Sequence, residues 1–298
     1  MAGGKVLLAV EWDDNAVETY RLNHQGTKVF HGDIAKLSVE DALALSGLQP
    51  GELDIFDGSP PCQGFSTAGK RDFNDDRNQL FREYVRLLRG FKPKCFVMEN
   101  VSGMVKGKMK LIFVEILKEL KASGYNVKAR LLNAMYYGVP QSRERMIFVG
   151  VREDLKIEPG HPAAMGKPKT VREALAGIAN DGPEATATCG KALKRMPAGS
   201  NNGGGKYLSH TFGLCRLGWN DPSPTLIKES GRHAHPEGNR YLSIAAARRI
   251  ASFPDNYQFS GKYHESWERI GNSVPPLLMK AVAGHIRDNI LNKIKANG

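Results

Sequence analysis

Apolar residues along the first 150 positions come in short runs separated by longer amphipathic stretches. The runs at 6–10, 28–30, 53–56, 95–98 and 146–151 are rich in Val, Leu, Ile and Phe, as strands of a buried sheet are. Between them, apolar positions recur at helical spacing over 15–23, 39–45, 79–89 and 110–123. Ser38 with Asp41 three residues on forms a capping box for the second of these helices. Alternation of this kind predicts an α/β fold, a sheet covered by helices. Past residue 150 the rhythm stops. Residues 151–240 hold thirteen glycines, including the run Asn-Asn-Gly-Gly-Gly at 201–205, and only one short helix is predicted, at 171–178. Helical periodicity returns over 243–253, capped by Ser243, and over 277–294, with Pro275 and Pro276 at its start. The expected organisation is a large domain over 1–150, a smaller loop-rich domain over 151–240, and a return to the first domain over 241–298.

Composition narrows the classes of function. The chain has 298 residues, 41% of them hydrophobic and 24% charged, which excludes a disordered tail or a fibrous repeat. No apolar run reaches the ~18 residues of a membrane span, so no membrane partner is expected. Cys62, Cys95, Cys189 and Cys215 are widely spaced without a CxxC pair, so neither a zinc site nor a disulfide framework is predicted, and a cytoplasmic chain is expected. Lys and Arg number 42 against 31 Asp and Glu, for a net charge of +11. Residues 1–150 carry 21 basic and 18 acidic residues, and residues 151–298 carry 21 and 13. The excess positive charge therefore lies mostly in the second half, which suits a polyanion such as nucleic acid.

In an open α/β sheet, ligands bind beyond the carboxyl ends of the strands. The residues that follow four successive apolar runs are Glu11-Trp12, Asp33-Ile34, the segment 58–66 (GSPPCQGFS), and Glu99-Asn100-Val101. Glu11 suits a ribose hydroxyl, Trp12 an adenine face and Asp33 an adenine amino group. Cys62 lies on a turn stiffened by two prolines and released by Gly64, where a thiol can serve as a thiolate nucleophile. Glu99, on the neighbouring strand end, can serve as an acid if desolvated. A soft nucleophile with a carboxylic acid suits addition to C6 of a cytosine while N3 is protonated, which makes C5 able to accept a methyl group. Arg145 is placed to bind the O2 of such a ring, with Arg143 nearby for a phosphate or a supporting salt bridge.

Five segments together resemble the ordered motif set of DNA (cytosine-5) methyltransferases: GSPPCQGFS at 58–66, ENV at 99–101, GVPQSRERMIFVG at 138–150, RYLSIAAARRIASFPDNYQF at 240–259, and GNSVPP at 271–276. The resemblance implies a Rossmann-like, S-adenosylmethionine-dependent methyltransferase sheet with an inserted target-recognition domain. S-adenosyl-L-homocysteine would be the product and double-stranded DNA the substrate. It further implies that Cys62 is the C6 nucleophile, Glu99 the N3 proton donor and Arg145 the O2 ligand. Gln63 and Ser66 would lie on a loop closing over flipped-out DNA, with Asn100 and Val101 also on the DNA side. Glu11, Trp12, Asp33, Ile34, Pro61, Leu80, Asn272 and Ser273 would surround the cofactor. A cognate restriction endonuclease and a prokaryotic, nucleoid-associated location go with this resemblance. The target base leaves the stack at a cost of a few kcal/mol.

One element departs from the pattern. The glycine-rich turn of such a sheet follows the first strand, and the ribose-binding acid comes roughly 20 residues later. Glu11 lies only ten residues from Met1, and Ala2-Gly3-Gly4 is at most a vestige of the family's Phe-x-Gly-x-Gly opening. Three accounts are open: residues missing from an ordinary enzyme, a second chain that supplies the strand, or an inactivated relative. The first is favoured because every other catalytic position is intact. Two further readings compete. A transfer-RNA cytosine methylase would carry Cys-Phe-Thr in its recognition region, whereas this chain has only Cys95-Phe96-Val97 on a strand. A non-catalytic DNA-binding protein would keep binding and lose transfer. Arg195, Lys206, Arg216, Lys228 and Arg232 are candidate DNA contacts.

Overall fold

The computed structural model describes residues 1–61, 79–105, 109–209 and 213–297. Strands β1 (Leu8–Glu11) and β2 (Lys28–His31) pair in parallel. A second sheet has the order β3-β4-β6-β5, made of β3 (Ile55–Gly58), β4 (Cys95–Val101), β5 (Tyr125–Asn133) and β6 (Glu144–Arg152). β3 and β4 are parallel, while β6 runs antiparallel to both of its neighbours. The five expected strands are present with shifted ends, and the sheet is mixed. β5 was not expected. Its Asn126, Lys128 and Arg130 break the apolar run, as they can on an edge strand with one solvated face.

Helices cover both faces of the larger sheet. On one face α3 (Gln79–Phe91) buries Phe81, Tyr84, Val85 and Leu88, the i, i+3, i+4, i+7 stripe of an amphipathic helix. These residues and α4 (Met109–Ala122) pack on Phe96, Met98 and Phe148. On the other face α9 (Pro276–Ile286) sets Leu278, Val282 and Ile286 against Val97, Ile147 and Val149. A Cβ on Gly150 would meet the Phe96 ring at 2.0 Å, so this glycine is what lets the two interior strands pack under that ring. The expected C-terminal helix does not run uninterrupted: a π turn at Arg287–Leu291 separates α9 from α10 (Asn292–Asn297).

Local caps follow the side chains. The Asp13 carboxylate accepts from the Ala16 N–H at the start of α1 (Asp14–Asn23). Ser38 Oγ accepts from the Asp41 N–H at 3.0 Å to start α2 (Val39–Ser46), which Gly47 ends at φ +72. The Asp41 carboxylate bonds the Ser38 hydroxyl, so the reciprocal half of a capping box is replaced by a side-chain contact.

The stretch 151–240 contains α5 (Val171–Leu175), α6 (Ala187–Leu193) and a small sheet of β7 (Ser200–Asn201), β8 (Cys215–Arg216) and β9 (His233–Ala234). α7 (Ile244–Ile250), capped by Ser243 as expected, and α8 (Tyr263–Asn272) follow. Two apolar clusters hold this part. Leu193, Met196, Leu214 and Tyr241 form one. In the other, Leu217 and Leu226 pack with Ile250, Trp267 and Ile270, so the core crosses the boundary at 240. α6 and α8 were not expected. α8 shows only Trp267 and Ile270 as large buried apolar side chains along ten residues, too few to reveal its period.

The sheet is interrupted between β1 and β3. Among the described residues each has one strand neighbour, β2 and β4 respectively, and its other edge carries none. All four residues of β1 are half-buried, whereas Cys95 to Met98 and Met146 to Val151 are buried throughout. The two parts are joined through one helical layer, in which Leu8, Val10 and Phe30 gather with Leu37, Phe56, Leu87 and Phe91. The Arg86 guanidinium ties that layer together, donating to the Ile34 and Leu37 carbonyls at 3.1 and 2.7 Å. No helix among the described residues is long and apolar enough to cross a membrane.

Candidate active site

β4 leaves the sheet core at Glu99, and the antiparallel β6 begins beside it. The register sets Glu99 against Ile147 and Val101 against Arg145, which puts the two charged side chains on one face of adjacent strands. Arg145 Nε lies 2.7 Å from Glu99 Oε1, with both side chains largely shielded from water. Burial pushes the Glu99 carboxyl above its ordinary value, and Arg145 and then Arg143 pull it back without cancelling that rise. A carboxyl held in this balance gains or loses a proton within reach of a guanidinium that can bind an oxygen of the same ligand.

Arg143 has a different environment from the one expected. It is 3% exposed and donates to the Leu226 carbonyl at 2.8 Å and to the Gly271 carbonyl at 2.9 Å. Its guanidinium therefore ties the start of β6 to the segment after β8 and to the end of α8, away from any open surface. The correction has a physical reason: a buried guanidinium needs acceptors, and folding brings two backbone carbonyl oxygens within its reach. Burial, then Arg145's charge, lowers it to about 10. The neighbouring backbone reinforces the tie. The Ser142 N–H donates to the Ser223 carbonyl, the Thr225 hydroxyl donates to the Ser142 carbonyl, and the Leu226 N–H donates to Gln141 Oε1. Gly271 is required there, since a Cβ would meet the Ile227 carbonyl oxygen at 2.5 Å. Sequence reasoning missed this seam because its partners lie more than 80 residues apart.

Asn100 is likewise internal. It is 4% exposed and donates to the Pro60 carbonyl at 3.0 Å, holding the end of β4 to the two prolines that precede position 62. Val101 is half exposed at the strand end. Cys62, Gln63 and Ser66 lie outside the described residues. Pro61, just before them, is exposed.

The carboxyl ends of β1 and β2 carry the remaining candidates. Glu11 Oε1 accepts from the Trp12 and Asp13 N–H groups at 2.8 and 3.1 Å, which fixes one carboxylate oxygen. Trp12 is 77% exposed, an indole face with no core role. Asp33 is exposed and uses one oxygen to accept from the Ala35 N–H. Ile34 is half-buried against the α2–α3 layer, and Leu80 is 41% exposed at the start of α3. The end of α8 lies near the start of α1, where Arg269 pairs with Asp13 at 3.0 Å; the Ser273 hydroxyl donates to the Ile270 carbonyl there, and Asn272 is exposed beside it. Among the described residues no cluster suits a metal ion. Of the basic candidates, Arg216 is buried and donates to the carbonyls of Leu193, Pro236 and Gly238, so it braces the small sheet instead of facing a polyanion.

Comparison with known proteins gives the class of protein. Residues 1–288 match the family model of C-5 cytosine-specific DNA methylases, and the chain belongs to that family. It is a DNA cytosine-5 methyltransferase. The relatives include the type II methyltransferase M1.HphI of Haemophilus parahaemolyticus, 34% identical over 95% of this chain and 80% of that protein. Another is M.Sau96I of Staphylococcus aureus, also 34% identical, over 94% of this chain and 70% of the relative. Among solved structures, a protein assigned as a DNA modification methyltransferase encoded within an E. coli prophage has the same fold, with a TM-score of 0.80 at 23% identity and coverage of 98% and 94%. The Spodoptera frugiperda DNMT2 structure shares it at a TM-score of 0.65 and 18% identity, over 98% of this chain and 92% of that one.

Proposed function

We propose that this chain transfers a methyl group to C5 of a cytosine flipped out of double-stranded DNA at a short specific sequence, with Cys62 as covalent nucleophile. The observation that carries the reading is the Glu99–Arg145 pair, 2.7 Å apart at the ends of β4 and β6, with Asn100 anchoring Pro60 just ahead of Cys62. The Cys62 thiolate forms a bond to C6 as Glu99 gives its proton to N3, and Arg145 binds O2. C5 then bonds to the methyl carbon as that carbon's bond to the donor sulfonium breaks, which would leave a neutral thioether. A base takes the C5 proton, the Cys62 thiolate leaves C6, and the N3 proton returns to Glu99, which restores the ring. Arg143 and Asn100 hold these groups in place and do not touch the base.

S-adenosylmethionine, when bound, supplies the methyl group. The described residues fit its nucleoside half: the Glu11 carboxylate for the ribose, the exposed Trp12 face and Asp33 for adenine, with Ile34, Pro61, Leu80, Asn272 and Ser273 around them. The stretch 151–240 serves as the target-recognition domain, and its Lys206 and Lys228 are candidate phosphate contacts. Relatives named as type II methyltransferases support a partnership with a restriction endonuclease and a cytoplasmic, nucleoid-associated location.

Among the described residues β1 and β3 each have one edge without a strand neighbour, and this favours a second reading, in which a further strand completes the sheet and the chain without it binds DNA but does not methylate it. The test is transfer of labelled methyl from S-adenosylmethionine to unmethylated duplex DNA, with product sequencing for 5-methylcytosine and Cys62→Ser as control. Transfer abolished by Cys62→Ser with DNA binding retained is expected. Transfer at the wild-type rate in that variant would sink the nucleophile assignment. Specific binding without any transfer by the wild-type chain would favour the incomplete-sheet reading.

A further inference from the structure

We propose that Arg269 is a positioning residue for the cofactor: from α8 it holds the turn after β1, which carries Glu11 and Trp12, in the shape that receives the nucleoside half of S-adenosylmethionine. The inference deepens the proposed reading of Glu11, Trp12, Asn272 and Ser273 and rests on it.

The turn leaves a strand that has, among the described residues, one strand neighbour, so the sheet does little to fix it. Its shape comes from side chains. Glu11 Oε1 accepts from the Trp12 and Asp13 N–H groups, and Asp13 Oδ1 accepts from the Ala16 N–H at 2.8 Å, which closes the turn into α1. The same Asp13 oxygen meets Arg269 Nη1 at 3.0 Å. The Arg269 side chain is 17% exposed, so this ion pair is partly shielded from water. On its own helix Arg269 stands beside Glu268, whose Oε1 lies 3.7 Å from Nη2 and accepts from Asn272 Nδ2 at 3.4 Å. A continuous row, Asn272–Glu268–Arg269–Asp13–Glu11, thereby joins cofactor candidates from both ends of the chain.

Other polar contacts fasten α1 to the segment before α8 without reaching the turn. Asn15 Nδ2 donates to the Ser260 carbonyl at 3.1 Å, the buried Thr19 and Ser260 hydroxyls share a hydrogen bond of 3.0 Å, and Asn23 Nδ2 donates to the Gln258 carbonyl at 2.7 Å. These contacts set where the helix lies. Arg269 acts one step nearer the ligand, because Asp13 gives its N–H to the Glu11 carboxylate and its own carboxylate to the guanidinium. An arginine suits the task, since its planar fork can face two carboxylates at once, here those of Asp13 and Glu268.

Calorimetric titration of the intact chain with S-adenosyl-L-homocysteine reads cofactor affinity without any turnover. Arg269→Gln is expected to raise the dissociation constant about 3–10-fold, and Arg269→Lys, which keeps a cation, to recover part of that loss. Asp13→Asn keeps the cap and loses the charge partner, so its effect and that of Arg269→Gln are expected not to add. Asn23→Ala, which loosens the far end of α1, is expected to leave the affinity near that of the wild type. Trp12, 77% exposed, reports on the turn directly. Its fluorescence anisotropy, read at the red edge of emission in a Trp219→Phe background where the buried Trp267 contributes least, is expected to fall in Arg269→Gln. Equal affinity in Arg269→Gln and the wild type would overturn the proposal, and so would an equal loss in Asn23→Ala. A wild-type chain that took up no S-adenosyl-L-homocysteine would remove the cofactor reading, while a lower Trp12 anisotropy in Arg269→Gln would leave the tie to the turn standing, so the two failures are distinguishable.

Discussion

The two ends of the parallel strand set are built to different standards. On one side β4 lies between β3 and β6, its apolar residues sealed by α3 and α4 on one face and by α9 on the other. On the other side β1 has, among the described residues, a strand on one edge only, and every one of its residues is half-buried although three of the four are apolar. Both stretches read as strands from the same kind of apolar run. What separates them is the number of neighbours, because a strand is stabilised by hydrogen bonds on two edges and side chains on two faces. The acid–guanidinium pair sits in the complete half, and the nucleoside-binding candidates sit in the incomplete one. The Glu99–Arg145 pair is therefore held by strands that are paired and packed on both sides, whereas the residues that follow β1 and β2 have fewer neighbours to hold them.

The sharpest test of that division is a pair of functional substitutions. Glu99→Gln is expected to lower kcat by about 10²–10⁴-fold with little change in cofactor KM, whereas Trp12→Ala is expected to raise the KM for S-adenosylmethionine and spare kcat. Steady-state methyl transfer on duplex DNA reads both, and equal kcat losses would erase the distinction. In stability terms, Phe148→Ala removes a fully buried ring and is expected to cost about 3–5 kcal/mol, against about 1 kcal/mol or less for Val10→Ala in the half-buried β1. Urea unfolding compares them, and similar losses would mean that β1 is as well supported as β6.

Arg143→Met probes the seam between the halves of the chain. It leaves the Leu226 and Gly271 carbonyls without their donor and is expected to destabilise by about 2–4 kcal/mol, with a further fall in kcat as Arg145 loses its anchored neighbour. The smallest effect is a pH dependence. His233, stacked on Trp267, is held neutral by burial and its midpoint is lowered to about 4. Its contribution is thus present above the unfolded value near 6.5 and is lost as pH falls toward 4. The stability difference between wild type and His233→Phe, followed by urea midpoints from pH 7 to pH 4, is expected to move by about 1–3 kcal/mol against the wild type.

Much of the sheet could be read in advance because buried strands must be apolar whatever surrounds them. β4, β6 and the amphipathic stripe of α3 are of this kind, while β1, β2 and β3 were readable from apolar runs although they are only half-buried. β5, α6 and α8 were not legible: each is short of apolar residues or alternates them with charge, and each is held by neighbours distant in the chain. The same holds for the site. Glu99 and Arg145 were readable as chemistry at strand ends. The distance between them was not, since it depends on β6 running antiparallel to β4, and a run of apolar residues carries no direction. Arg143 reads in the sequence as a group for a phosphate or a supporting salt bridge, from its place beside Arg145. Its burial against Leu226 and Gly271 was not legible, because those carbonyls lie more than 80 residues away in the chain.

The amino-acid sequence by itself determined the class of chemistry: the residue types that can attack, protonate and bind a pyrimidine, their order along the chain, and the basic excess that suits DNA. Tertiary structure alone decided which of those residues face one another. Antiparallel pairing of β6 with β4 and an ion pair bring Arg145 to Glu99, long-range packing withdrew Arg143, Asn100 and Arg216 into the interior, and among the described residues β1 and β3 each keep one edge without a strand. The reason is the same in each case: composition and spacing record what a residue can do, while burial, charge and hydrogen-bond partners arise only when distant segments share a face.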